Sequence, residues 1–328
     1  MRGAATIAAL LLLGAAPVAG RAQAPFQLAL PIDCAPGRTC FVQNYTDHDP
    51  SPAAKDYACG PLTYDGHKGT DFRLPDLAAQ RRGVKVLAAA PGVVLRMRDG
   101  TPDISIRDRP DRVPSDRACG NGLIIQHAGG WQTQYCHMAQ GSLKVRPGQK
   151  VETGAVLGLV GLSGQTEFPH LHLSVREGRE DVDPFAYGEA PGQCSGGRSL
   201  WRPDVKAALP YRARTVINAG FAAAVVSLPD VETGGVQPPS RGAEALYAYV
   251  RAIGLRQGDI RSLVLWGPNG AAIASGRSRP LDHDKAQWLD GIGRRRPGGQ
   301  WPAGRYTLQY QVLNGGKVVL EQTVPLDL

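Results

Sequence analysis

Short apolar runs recur along the chain between glycine, proline and asparagine turns. Residues 84–90, 93–97, 123–126, 132–138, 156–160 and 170–175 are such runs, and Pro91-Gly92, Gly129-Gly130, Pro147-Gly148 and Gly161 punctuate them. Runs this short, bounded this way, predict strands of a meander or sandwich. Helix signals are sparse; residues 74–80 have room for one or two turns. Towards the C-terminus, Leu308, Tyr310 and Val312 alternate with Thr307, Gln309 and Gln311, the period-two pattern of a strand with one wet face. Asn314-Gly315-Gly316 then turns into Val318-Val319-Leu320, a hairpin, and Leu263 to Trp266 running into Pro268-Asn269-Gly270 reads the same way. The fold class is therefore all-β, with residues 205–328 forming a small sandwich similar to an immunoglobulin-like module. Gly188 to Arg202, rich in Gly and Ser, reads as the linker or domain edge before it.

Two segments break the cadence. Residues 99–118 carry four Arg, five Asp and three Pro and read as an exposed insertion between two strands; a loop this long is either a functional excursion or simply solvated. Residues 1–24 have the layout of a cleaved signal peptide: Arg2, an apolar run over 4–16 with a four-leucine block, then Val18-Ala19-Gly20 and Ala22-Gln23-Ala24. The run has no amphipathic face, unlike a core helix. The cut falls between 20 and 25, and the expected location is the periplasm or the cell exterior.

Composition narrows the picture further. A chain of 328 residues suggests about two domains, and 42% hydrophobic residues supply a core. After residue 20 no apolar run is long enough to span a membrane. The formal charge of +8 favours an anionic neighbour without singling out nucleic acid. All six cysteines follow the signal, and an exported chain with an even count suggests disulfides. Six cysteines allow fifteen connectivities, and the sequence does not choose among them; two pairs are locally compatible, Cys34 with Cys40 across a short loop through Pro36-Gly37 and Cys119 with Cys136 across a hairpin, which would leave Cys59 with Cys194 by elimination only.

Four of the seven histidines fall in three short segments: Gly66-His67-Lys68-Gly69-Thr70-Asp71-Phe72, Gln134-Tyr135-Cys136-His137-Met138 and Phe168-Pro169-His170-Leu171-His172-Leu173. In a strand, His170 and His172 project to one side, about 6.6 Å apart at Cα, while Leu171 and Leu173 face a core. Two imidazoles on an apolar strand are costly to bury without partners, and one metal ion serves both: one ligates, the other sits near the ion's water. Gly66 and Gly69 argue against a helix, so His67 and Asp71 are placed on a turn. With one histidine of the third segment they make three N/O ligands with a fourth position open, the pattern of a catalytic zinc site. His137 adds a further imidazole.

Together these segments resemble the lysostaphin/LytM-type zinc metallopeptidases, the peptidoglycan endopeptidases. Residues 66–72 look like that family's His-x-x-x-Asp motif, Pro169-His170-Leu171-His172 like its His-x-His motif, and Tyr135-Cys136-His137-Met138 like its Tyr-x-His-Leu segment with Met for Leu. Residues 145–151 and 158–164 look like its glycine-rich strand pair, and Val182-Asp183-Pro184 like its closing Val-Asp-Pro. The likeness covers about residues 60–188; the insertion at 99–118 departs from it. Residues 25–59 and 190–328 lie outside it; with the strand pattern it gives a LytM-type peptidase domain over 25–195 followed by the sandwich over 205–328 as an accessory domain, and it implies one zinc ion held by His67, Asp71 and His172. It also implies His137 and His170 as the catalytic imidazoles and peptidoglycan peptide as the substrate of a zinc-activated water. The family also contains members that have lost ligands and only activate other wall hydrolases, so the alternative is a catalytically silent, wall-binding activator of an amidase; all five positions are kept here.

Remaining polar features read as structural. His127 belongs to a hairpin turn, and Asp47-His48-Asp49 and Asp282-His283-Asp284 to polar turns. Arg294-Arg295-Arg296 is read as a solvated loop or a contact to anionic polymer, and Tyr135 as strand packing or a hydrogen bond to a transition-state oxygen. Asn44-Tyr45-Thr46 fits a glycosylation sequon.

Overall fold

The computed structural model describes residues 25–194 and 196–328; residues 1–24, which the sequence predicts to be a signal peptide, lie outside them. Nearly all regular structure is β, and every strand pairing in the sheets is antiparallel. In chain order the first part contains β1 (Phe41–Asn44), β2 (Thr70–Arg73), α1 (Leu77–Arg81), β3 (Lys85–Leu87), β4 (Gly92–Arg98), β5 (Asn121–Gln126), β6 (Trp131–Met138), β7 (Lys150–Val151), β8 (Val156–Leu159), β9 (His170–Glu177) and β10 (Glu180–Val182). The main sheet runs β1-β2-β9-β6-β5-β4-β7, with β10 on β9, and β3 pairs separately with β8. The apolar runs read from the sequence coincide with these strands because alternate residues drive one face inward: Leu171, Leu173 and Val175 of β9, Ile125 of β5, Tyr135 of β6 and Phe72 of β2 share one core. α1 is a single short helix, capped where the Asp76 side chain accepts from the Ala79 amide.

The second part follows α2 (Pro203–Ala208) and comprises β11 (Thr215–Ala222), α3 (Leu228–Thr233), β12 (Ala245–Leu255), β13 (Ile260–Trp266), β14 (Ala272–Arg277), β15 (Lys285–Arg295), β16 (Arg305–Asn314) and β17 (Lys317–Asp327). Two sheets, β11-β12-β15 and β14-β13-β16-β17, enclose a second core. Tyr306, Leu308, Tyr310 and Val312 of β16 are fully buried in it, as the alternation predicts. Leu200, Trp201, Val205 and Leu209 pack into the first core, so the chain joins the second core only from β11 onwards. Among the described residues no helix is long and apolar enough to cross a membrane.

The two parts meet across β1 and β2. Phe41 packs with Ile217 and Ile253, and the Gln43 amide donates to the Ala286 carbonyl at 3.1 Å. A buried polar cluster lies beside this contact. Arg73 donates to Gln43 (2.8 Å), Glu232 (3.2 Å) and Gln287 (3.0 Å), and Arg251 pairs with the same Glu232 oxygen. Burial, then the neighbouring Arg251 guanidinium, lowers the pKa of Arg73 to about 9, with Glu232 opposing.

All three expected disulfides are present: Cys34–Cys40, Cys59–Cys194 and Cys119–Cys136. Cys59–Cys194 ties residues 135 apart, so it removes much of the unfolded chain's freedom. Replacing both by Ala is expected to lower unfolding free energy by about 2–5 kcal/mol, measured by urea denaturation of the oxidised proteins.

Candidate metal centre and catalytic imidazoles

β2 and β9 are neighbours, and their register sets Asp71 opposite His172 and Arg73 opposite His170. His67 sits on the turn just before β2, as the glycines predict; Asp71, placed on that turn from sequence, lies instead on β2 itself, because pairing with β9 starts at Thr70. Gly69 permits this approach. A Cβ there would lie 2.7 Å from His172 Nε2 and 2.6 Å from the Leu173 carbonyl oxygen.

His67, Asp71 and His172 converge. Asp71 Oδ1 lies 3.2 Å from His67 Nε2 and 2.8 Å from His172 Nδ1, and the two nitrogens are 3.2 Å apart. A tetrahedral zinc site with bonds of about 2.0–2.1 Å has ligand–ligand edges of about 3.3 Å, so the three atoms are spaced to hold a metal ion. Proton bookkeeping agrees. His67 Nδ1–H donates to the Tyr45 carbonyl at 2.7 Å, leaving Nε2 with a lone pair aimed at a carboxylate, two acceptors that a shared cation reconciles. His172 Nε2 bonds Ser174 Oγ at 2.9 Å, and the second Asp71 oxygen accepts from Asn44 Nδ2 at 2.8 Å. Each of the three candidate ligands is thus oriented by an outer partner, as ligands of metal sites generally are.

The other two imidazoles adjoin. His170 donates from Nδ1 to the Phe168 carbonyl (3.0 Å), with Thr166 Oγ1 at 3.1 Å from the same nitrogen, and its Nε2 lies 3.4 Å from Asp71 Oδ1. His137 donates from Nδ1 to the Ser163 carbonyl (2.8 Å), and its ring centroid is 4.6 Å from that of His170. His137 is held in the left-handed region, φ 61°, a conformation costly for a non-glycine residue. Its amide donates to the Cys119 carbonyl, and the Cys119–Cys136 bridge closes the same loop. His67, Asp71, His137 and His170 are all buried.

Electrostatics separate their roles. Burial depresses the pKa of His67, but the Asp71 carboxylate outweighs it and the net shift is upward. Burial raises that of Asp71, but His67 and His170 hold it well below the usual range. Burial, then the neighbouring His170 and His172, pushes His137 well down, so it is neutral at pH 7.

The insertion at 99–118 is docked beside the site rather than free in solvent. Asp103 accepts from the Leu162 and Gln140 amides, the Ile106 amide donates to the Thr166 carbonyl, and Arg107 pairs with Glu167. With α3 it lines a cleft of about 260 Å³ beyond Phe168.

Tyr135 belongs to the core: its hydroxyl accepts from the Ala89 amide. His127 is structural, bonded to the Pro91 carbonyl and Thr133. His48 bonds Asp183, and Asp47 accepts from three backbone amides. Asn44, noted in the sequence only as a sequon, is turned inward onto Asp71. Sequence reasoning missed it as a site residue, as it missed Tyr45, Ser163 and Ser174, because their contributions come through pairings that no spacing reveals.

Residues 65–184 match the profile of Peptidase family M23. The resemblance to LytM-type peptidases drawn from the motifs stands on this match. The cell division protein DipM of Caulobacter vibrioides is 36% identical over 90 residues, 26% of this chain and 14% of that protein. Peptidoglycan DD-endopeptidase ShyA of Vibrio cholerae is 33% identical over 109 residues, 33% of this chain and 20% of that protein. The chain therefore spans a fifth or less of the length of these relatives. The solved catalytic domain of lysostaphin from Staphylococcus simulans aligns at 21% identity and a TM-score of 0.29, covering 43% of this chain and 90% of that one.

A metal ion at this cluster would compete with protons for His67, whose pKa is raised. Apparent zinc affinity is therefore expected to fall steadily as pH drops from 7.5 to 5.5, with proton release on binding, read by chelator competition. Asn44→Ala is expected to weaken zinc binding by about 10–100-fold in the same assay.

Proposed function

We propose that this chain is an exported, zinc-dependent endopeptidase that hydrolyses peptide bonds of bacterial peptidoglycan, acting in the periplasm or outside the cell. The observation that carries the reading is the gathering of three metal-competent donors and two non-ligand imidazoles within one buried constellation. The domain match supports peptidase chemistry, and the name of the Vibrio relative supports a wall substrate. Three disulfides and the signal-like N-terminal segment support an oxidising compartment. We assign the peptidase unit to the part built on the first core and an accessory role to the β-sandwich that follows.

His67, Asp71 and His172 hold the metal. Zinc, when bound, supplies Lewis acidity that polarises the scissile carbonyl and lowers the pKa of water to about 7. The chain's own groups manage the protons. Because His137 and His170 both commit Nδ1–H to a carbonyl, both offer Nε2 as an acceptor in the neutral state. One of the two takes the proton from the attacking water; as an imidazolium it then donates that proton to the leaving amine. The other, when it takes a proton on Nε2 from bulk water, donates it towards the developing oxyanion and returns it to solvent after turnover. Depressed basicity keeps His137 ready as an acceptor at neutral pH.

His67→Ala and Asp71→Ala are expected to lose metal and turnover together, whereas His137→Ala keeps about one zinc per chain and loses about 10²-fold or more in kcat. The measurements are metal content and muropeptide profiles of digested sacculi, with casein as the ordinary-protein control. Metal-free wild-type protein that releases no muropeptide and only stimulates an added amidase would replace this reading with the silent activator.

A further inference from the structure

We propose that the β-sandwich fixes the orientation of His170 through a relay running from Glu232 and Gln287 to Arg73 and on to Phe168, so that Arg73 and Phe168 are positioning residues of the peptidase site. The inference rests on the peptidase reading above.

The register of β2 and β9 puts Arg73 directly across from His170. The Arg73 side chain is fully buried and lies with its guanidinium 4.0 Å from the centre of the Phe168 ring, a cation–π contact in a desolvated setting. Phe168 in turn meets His170 twice. Its carbonyl accepts the His170 Nδ1 proton, and its ring centroid is 5.1 Å from the imidazole. Thr166 Oγ1 lies 3.1 Å from the same Nδ1 and donates to the Phe168 carbonyl at 2.9 Å, so the tilt and tautomer of His170 are set by Phe168 together with Thr166, and Phe168 lies against Arg73.

Two of the three side chains that hold Arg73 come from the sandwich: Glu232 on α3 and Gln287 on β15. Glu232 is anchored in its turn by Arg251 of β12, which also donates to the Pro75 carbonyl just after β2. Two guanidiniums sharing one carboxylate are an expensive way to close an interface. Apolar residues of similar volume usually do as well or better for stability. What the cluster offers instead is direction, since a planar fork with fixed partners holds Phe168 at one angle.

The test uses the full-length, zinc-loaded chain and the variants Glu232→Ala, Glu232→Gln, Gln287→Ala and Phe168→Leu. Zinc content, thermal midpoint, and kcat and KM on purified cross-linked muropeptide dimers are measured. The imidazole NMR signals of His170, assigned from a His170→Gln spectrum, are recorded alongside. The expected result is one zinc per chain and KM within about twofold of wild type in every variant. In Glu232→Ala and Phe168→Leu, kcat drops roughly tenfold and the His170 signals move while those of His67 stay in place. Gln287→Ala gives a smaller change of the same kind, and Glu232→Gln, which keeps an oxygen facing Arg73, recovers kcat relative to Glu232→Ala. Wild-type kcat and unmoved His170 signals in both Glu232→Ala and Phe168→Leu overturn the proposal, as does a loss confined to KM. A wild-type chain that cleaves no muropeptide overturns the peptidase reading instead, and the His170 signals then decide the relay by themselves.

Discussion

The pairing of Asp71 with His172 across two antiparallel strands is the constraint on which the rest of the site depends. The two residues are 101 positions apart in the chain, and only the β2–β9 ladder brings them together. A shift of one residue in that ladder would turn His170 and His172 towards the core and Leu171 and Leu173 towards the site. The core burial of those leucines therefore does two things at once: it stabilises the sheet and fixes which side the imidazoles face. Gly69 lets the strands close to this distance, and the turn before β2 delivers His67 to the same point.

Charge in the buried centre is balanced locally. One carboxylate, Asp71, faces three imidazoles, and each ring nitrogen turned away from it has its own hydrogen-bond partner. Such a site is pre-organised: its polar groups are paired by the surrounding backbone before any ligand arrives. His137 differs in being held by a strained backbone next to a disulfide. The strain is confined to one residue, and the bridge and the Ser163 carbonyl together keep the ring beside His170.

The architecture around the centre is asymmetric. On one side the docked insertion reaches residues 162–168, the loop that leads into His170. On another the sandwich meets β1 and β2 through a small apolar cluster and a larger polar one. Neither element is a passive appendage, since each touches residues one or two bonds removed from the imidazoles. The sandwich thus reaches Arg73, across from His170, although among the described residues it adds no donor to the His67, Asp71 and His172 cluster.

Much of this could be read from the residues. Period-two alternation located the strands because burial of one face is a local pattern, and β16 shows it directly in Tyr306, Leu308, Tyr310 and Val312. The histidine and aspartate segments are visible because their spacing is short; two disulfides are suggested by local loops, but the choice among fifteen pairings is made only by the fold. What stayed hidden was whatever depends on contacts between distant segments. From sequence alone Asn44 reads as a sequon, Tyr135 as either packing or a hydrogen-bond donor, and Asp71 as a turn residue, and nothing marks the insertion as docked. Nothing in the sequence linked Arg73 to Glu232. The sequence by itself determined which groups could ligate and which faces would be buried, because both follow from side-chain chemistry and local periodicity. The tertiary structure alone decided which of those groups meet, because strand register and domain packing are set by the sum of many non-local contacts rather than by any one segment.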